Sequence, residues 1–111
     1  MMIVVTTEAI AGQRIVATLG QIFGLAVRTR GLEGNVMAGL ASLAGLNGDT
    51  MIEFLASLAA TRDEAIAQMV AKATALGANA VLQMRFDTAA VGHDMSEVVA
   101  YGTAAIIEPG L

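Results

Sequence analysis

From Arg14 to Arg28 the chain alternates with period two. Ile15, Ala17, Leu19, Gln21, Phe23, Leu25 and Val27 fall on one side, and only a strand, whose successive side chains point to opposite faces, gathers residues at that spacing onto one surface. The run is long for a strand. Gly20 and Gly24 stand on the other side, where a missing side chain marks a bulge or a close approach of another backbone, so a bend is expected near Gly20. The chain is committed early to a sheet, and the remaining residues must supply its other strands and its cover.

Those strands are legible. Ile3 to Thr6 is a short β-branched run, set off from the long strand by the turn-like Ala11-Gly12-Gln13. Ala80 to Asp87 alternates, with Leu82, Met84 and Phe86 facing one way and Gln83, Arg85 and Asp87 the other. Glu97 to Glu108, rich in Val, Tyr, Thr and Ile, is predicted to pair with it as an antiparallel hairpin through a loop from Thr88 to Ser96. Pro109-Gly110 ends the strand. After the break at Gly31 to Asn35, Val36 to Leu46 suits a short helix that is apolar all round and must be buried on every side. Thr50-Met51-Ile52-Glu53 is a capping box that opens a long helix. Its apolar stripe is Met51, Leu55, Leu58, Ile66, Met69, Val70 and Ala73; Arg62, Asp63, Glu64 and Lys72 form its wetter side, and Gly77 caps its C-terminus. The expected fold is α+β, a small antiparallel sheet packed with one short and one long helix in a single domain over 1–111.

Composition decides what else such a fold needs. A folded monomer of this size exposes roughly 5,700 Å², and the chain has only 6 Lys and Arg and 10 Asp and Glu to cover it, while 56% of its residues are hydrophobic. A membrane span takes roughly 20 consecutive apolar residues; the longest uncharged stretch, Gly34 to Gly48, is shorter and is interrupted by glycines and asparagines. The N-terminus Met1-Met2-Ile3-Val4-Val5 lacks the basic region of a secretory signal and soon meets Glu8, so a cytoplasmic location is expected. There is no cysteine, which excludes disulfides and thiolate metal sites. A net charge of −4 argues against nucleic acid and anionic membrane as partners. Self-association is the remaining cover.

Three stretches resemble the YbjQ-like family, whose members carry a heavy-metal-binding label and have no established function. They are Val27-Arg28-Thr29-Arg30-Gly31 with Met37-Ala38-Gly39-Leu40; Ala75-Leu76-Gly77-Ala78-Asn79-Ala80-Val81 running into Arg85-Phe86-Asp87-Thr88; and Met95-Ser96-Glu97-Val98-Val99-Ala100-Tyr101-Gly102-Thr103-Ala104. The resemblance implies an α+β subunit of a ring-shaped homo-oligomer, commonly a pentamer. Two places depart from the family's pattern. Gly45-Leu46-Asn47-Gly48-Asp49 stands where members often carry a Gly-Gly-acidic turn with a nearby Tyr, and the basic residue often found in the first helix is replaced near Ala41.

Candidate chemistry is sparse. His93 and Asp94, followed by Met95 in the hairpin loop, are the one cluster that could offer a metal ligands, and a ring could gather several copies near its axis; zinc and copper, however, want thiolate or imidazole, and one His per chain falls far below a four-ligand set. An exposed polar loop explains the same residues. Glu8, Asp87, Asp94 and Glu97 are the carboxylates available for acid–base work, but no spacing pairs them, no nucleophile order is legible and no phosphate-binding glycine loop occurs. No catalytic residue and no cofactor is expected. Arg85 and Asp87, two apart on one strand face, suit a structural role. Arg28 and Arg30, beside the start of the expected short helix, form the best anion site, because free N–H groups and a partial positive charge collect at a helix N-terminus and guanidinium groups suit carboxylate or phosphate. Solvated arginines balanced by Glu33 are the plainer alternative. The expected function is that of a non-enzymatic, homo-oligomeric ring binding a partner or small anion. A metal-binding protein is the alternative, and an enzyme with its site between subunits the third.

Overall fold

Residues 2–29, 48–91 and 95–110 are described by a computed structural model. Four strands, β1 (Ile3–Val4), β2 (Gln13–Thr29), β3 (Ala80–Val91) and β4 (Met95–Pro109), form one sheet in the order β1-β3-β4-β2, with the helix α1 (Gly48–Ala75) between β2 and β3 in sequence. The α+β class is as expected. The sheet, expected to be antiparallel, is mixed: β1 runs parallel to β3, with Ile3 opposite Ala80 and Val4 opposite Val81. Parallel neighbours need a long crossover connection, which β2 and α1 provide. The short helix expected at Val36 to Leu46 and the break before it lie outside the described residues, as does the turn expected to differ from the family up to Asn47.

The bend expected near Gly20 is a pair of bulges. The register of β2 on β4 shifts between Ile15 and Ala17 and again between Thr18 and Gly20, and Gly20 has a φ of 110°. Each extra residue reverses which side chains face the core. Leu19 therefore packs on the core together with Ile22 and Ala26, while Phe23 and Val27, expected on the same face as Leu19, point away and are each 48% exposed. Strand β3 repeats the device. Its register slips between Leu82 and Arg85, where Gln83 has a φ of 53°, so Val81, Met84 and Phe86 pack on the helix side and Leu82, expected beside Met84, is buried on the opposite face. The amides freed by this bulge are taken up by the chain after β1: Gln83 N–H donates to Thr7 O (3.0 Å) and Met84 N–H to Val5 O (2.9 Å). The Arg85 guanidinium adds a bond to Thr6 O (2.8 Å), in keeping with a structural role. The hairpin is also tighter than expected. Val91 lies opposite Met95, and the residues Thr88 to Val91 and Met95 to Ser96, expected in the loop, are paired strand because their small and β-branched side chains fit the ladder.

Helix α1 packs chiefly over β2 and β4. Thr61, Ala65, Met69 and Ala73, each four residues from the next, are buried and form its inward ridge. Met69 and Ala73 belong to the expected stripe, whereas Thr61 and Ala65 do not, and Leu58, Ile66 and Val70 flank the ridge half-buried. The helix starts at Gly48, ahead of the expected Thr50, whose capping side chains lie outside the described residues. It ends as expected at Gly77 (φ 87°), with Gly77 N–H on Thr74 O (2.9 Å) and Ala78 N–H on Ala73 O (3.0 Å), the paired bonds of a Schellman cap. Among the described residues no helix is long and apolar enough to cross a membrane.

Asn79 joins the helix cap to the sheet. Its side-chain amide donates to Ile107 O (2.9 Å) and accepts from Ile107 N–H (2.7 Å), so it continues the ladder where β3 has not yet begun. Asn79→Ala leaves both Ile107 groups without these bonds and is expected to cost about 1–2 kcal/mol in urea denaturation. A loss within the error of the extrapolation would mean that water replaces the amide.

Candidate functional site

Of the sequence-predicted site residues, Arg28 is the one among the described residues. Arg28 lies in β2 opposite Ser96, and Thr29 opposite Met95, which in turn pairs with Val91 of β3. Arg30, His93 and Asp94 lie outside the described residues. Among the described residues no group of three or more His, Cys, Asp or Glu converges where it could hold a metal ion. Of the carboxylates considered for acid–base chemistry, Asp87 stands opposite Val99 and Glu97 opposite Ala89, which places the two as diagonal neighbours on one sheet face. Asp87 Oδ1 accepts the Thr88 N–H (3.0 Å).

A cleft of about 490 Å³ opens between the middle of α1 and Phe86 of β3. Leu58, Ile66 and Phe86 give it an apolar wall, and Arg62 and Asp63 bring both signs of charge to its mouth, the Arg62 guanidinium 5.2 Å from the centre of the Phe86 ring. Sequence placed Arg62 and Asp63 on the wet side of the helix. Their approach to Phe86 depends on the β3 bulge, which turns that ring inward.

The opposite side of the sheet carries the larger feature. Alternation beyond the bulges puts Gln21, Phe23, Leu25 and Val27 of β2 beside Thr103, Tyr101, Val99 and Glu97 of β4, and these beside Arg85, Asp87 and Ala89 of β3. The helix covers the other face. Phe23, Val27 and Tyr101 are exposed, and Leu25 and Val99 are half-buried. The edge of β2 is guarded here: Gln68 Oε1 of α1 accepts the Leu25 N–H (3.2 Å), and the Lys72 ammonium lies 4.0 Å from the centre of the Phe23 ring. An open edge strand invites another strand to pair with it, and these two side chains occupy that position. At the other end of the same face Ala105 and Ile107 of β4, with Ala80 and Leu82 of β3, are buried, so the apolar layer is covered there and open toward the hairpin.

Comparison with known proteins gives a consistent picture. Residues 2–108 match the sequence profile of the YbjQ family, described as "Putative heavy-metal-binding". A UPF0145 protein of Bradyrhizobium sp. (strain ORS 278) is 51% identical over 108 residues, covering 97% of this chain and 95% of that one. A UPF0145 protein of Picrophilus torridus is 45% identical over 107 residues, covering 96% and 88%. Among solved structures, a protein of unknown function in the DUF74 family from Pediococcus pentosaceus superposes with a TM-score of 0.62 at 17% identity, over 96% of this chain and 98% of that one; at that identity the likeness shows a shared fold.

Proposed function

The chain belongs to the YbjQ family described as "Putative heavy-metal-binding", and we propose that within it this protein is a non-enzymatic, homo-oligomeric ring, of five subunits by the family's pattern, that serves as a binding module for a partner or small anion. The observation that supports self-association is surface left over. Among the described residues Ile15, Val16, Phe23, Val27 and Leu76 are exposed by 41% to 51%, apolar surface that a second chain would cover. Scarce charge leaves water a poor covering for it.

Arg28 and Arg30 are the proposed anion ligands. A ring repeats the pair in every subunit, and such a circle of guanidinium groups on an acidic chain attracts carboxylate or phosphate. Native mass measurement is the test of assembly: a single species of five chains is expected, and a monodisperse monomer at micromolar concentration would overturn it. On the same preparation, phosphate, citrate or nucleotide at constant ionic strength should raise the melting temperature as mass action requires, and Arg28→Gln with Arg30→Gln should abolish the rise. The metal-binding alternative would be favoured by one or more zinc or copper ions per five chains after dialysis.

A further inference from the structure

We propose that the cleft between α1 and Phe86 binds a small apolar zwitterion, a molecule of the class of leucine or phenylalanine. Its apolar tail lies on Leu58, Ile66 and Phe86, its carboxylate meets Arg62 and its ammonium meets Asp63. The cleft, of about 490 Å³, falls within the roughly 300–1,000 Å³ of small-ligand pockets, which are mostly apolar and carry a few placed polar groups. The helix builds its side of the cleft from two adjacent rows. Leu58, Arg62 and Ile66, each four residues from the next, stand one above another, and Ala59 and Asp63 form the row beside them. Leu58 and Ile66 are half-buried, as is Phe86 opposite, so apolar surface remains for a ligand to cover.

The two charges do not neutralise each other. Consecutive residues of a helix point about 100° apart, so Arg62 and Asp63 diverge. Among the described residues the Arg62 guanidinium meets the Phe86 ring, 5.2 Å from its centre, and no carboxylate, while Asp63 meets no cation. Cation–π attraction holds the guanidinium at the apolar wall and leaves it N–H groups that suit a carboxylate. Charge of both signs selects the ligand. A fatty acid brings its carboxylate to Asp63 as well as to Arg62, and an apolar amine brings its ammonium to Arg62; a zwitterion sets each charge against its opposite. The proposal uses none of the residues of the anion site above and is independent of the number of subunits.

Ligand-observed NMR titration of the whole protein with leucine, glycine, N-acetylleucine and leucinamide is the test, at about pH 6.5 so that leucinamide keeps its ammonium. Leucine should bind with a Kd below about 10 mM and about tenfold or more tighter than glycine, which lacks the tail. It should bind about threefold or more tighter than N-acetylleucine, which lacks the ammonium, and than leucinamide, which lacks the carboxylate. Arg62→Gln should erase the difference between leucine and leucinamide while keeping that between leucine and N-acetylleucine, and Asp63→Asn should do the reverse. Both positions are exposed, so neither variant should disturb folding. Failure of leucine to bind below about 10 mM, N-acetylleucine or leucinamide binding as tightly as leucine, or differences that survive in both variants would overturn the zwitterion site. Native mass and the response to phosphate would be untouched by any of these results.

Discussion

Replacing Gly24 with valine should cost at least about 3 kcal/mol of stability, the largest effect expected of any single exposed-strand substitution in this chain. Gly24 lies on the edge strand, where a valine would ordinarily raise strand propensity. It faces the ridge of α1, however, and a Cβ there would fall inside van der Waals contact of the Ala65 carbonyl oxygen, 2.5 Å from the Met69 amide nitrogen and 3.0 Å from Gln68 Cβ. Two of these neighbours are backbone atoms of a helix and cannot rotate away. The helix would have to rise from the sheet, losing the burial of Ala65 and Met69 and the bond from Leu25 N–H to Gln68. Urea denaturation of the variant is the measurement, and a loss below about 1 kcal/mol would show that α1 can be lifted at little cost.

Met69→Ala should follow closely, at about 2–5 kcal/mol. Among the described residues Met69 and Val81 are the largest fully buried side chains. Truncation of Met69 removes its transfer energy and leaves a cavity between α1 and the sheet that the small neighbours Ala65, Ala73, Ala100 and Ala104 cannot fill. Met69→Leu, nearly equal in volume, should cost less than about 1.5 kcal/mol. Met95→Ala, at a position 38% exposed, serves as the comparison and should change stability by no more than about 0.5 kcal/mol. Equal losses at Met69 and Met95 would contradict the burial described.

Both predictions depend on a feature that sequence located and structure explained. The glycines in β2 stood out against its alternation, and each does what its place suggested: Gly20 sits at a register shift with a positive φ, and Gly24 takes the close approach of the helix. What alternation concealed was parity. Counting every second residue assigned Leu19 and Phe23 to one face, but a bulge adds one residue to the count and separates them. The same miscount placed Leu82 with Met84. A bulge in β3 carries no glycine as a warning, since Gln83 itself takes the positive φ; the compensating partners are Val5 and Thr7, more than seventy residues earlier. Thr61 and Ala65 were passed over in the helix because a hydrophobic stripe is sought among large side chains, whereas close packing on Gly24 requires small ones.

The candidate site was less legible than the fold. Arg28, Arg30, His93 and Asp94 could be named as unusual residues in a chain poor in charge. That positions 28 and 96 face each other follows from strand register alone, which no single stretch encodes. By itself the sequence determined which stretches become strands, the long helix and its cap at Gly77, because these arise from periodicity and backbone preference within one or two turns of chain. It also determined, through scarce charge, that apolar surface would remain. Tertiary structure alone decided which face of the sheet receives the helix and which remains open, because two bulged strands had to be set in register before either face existed.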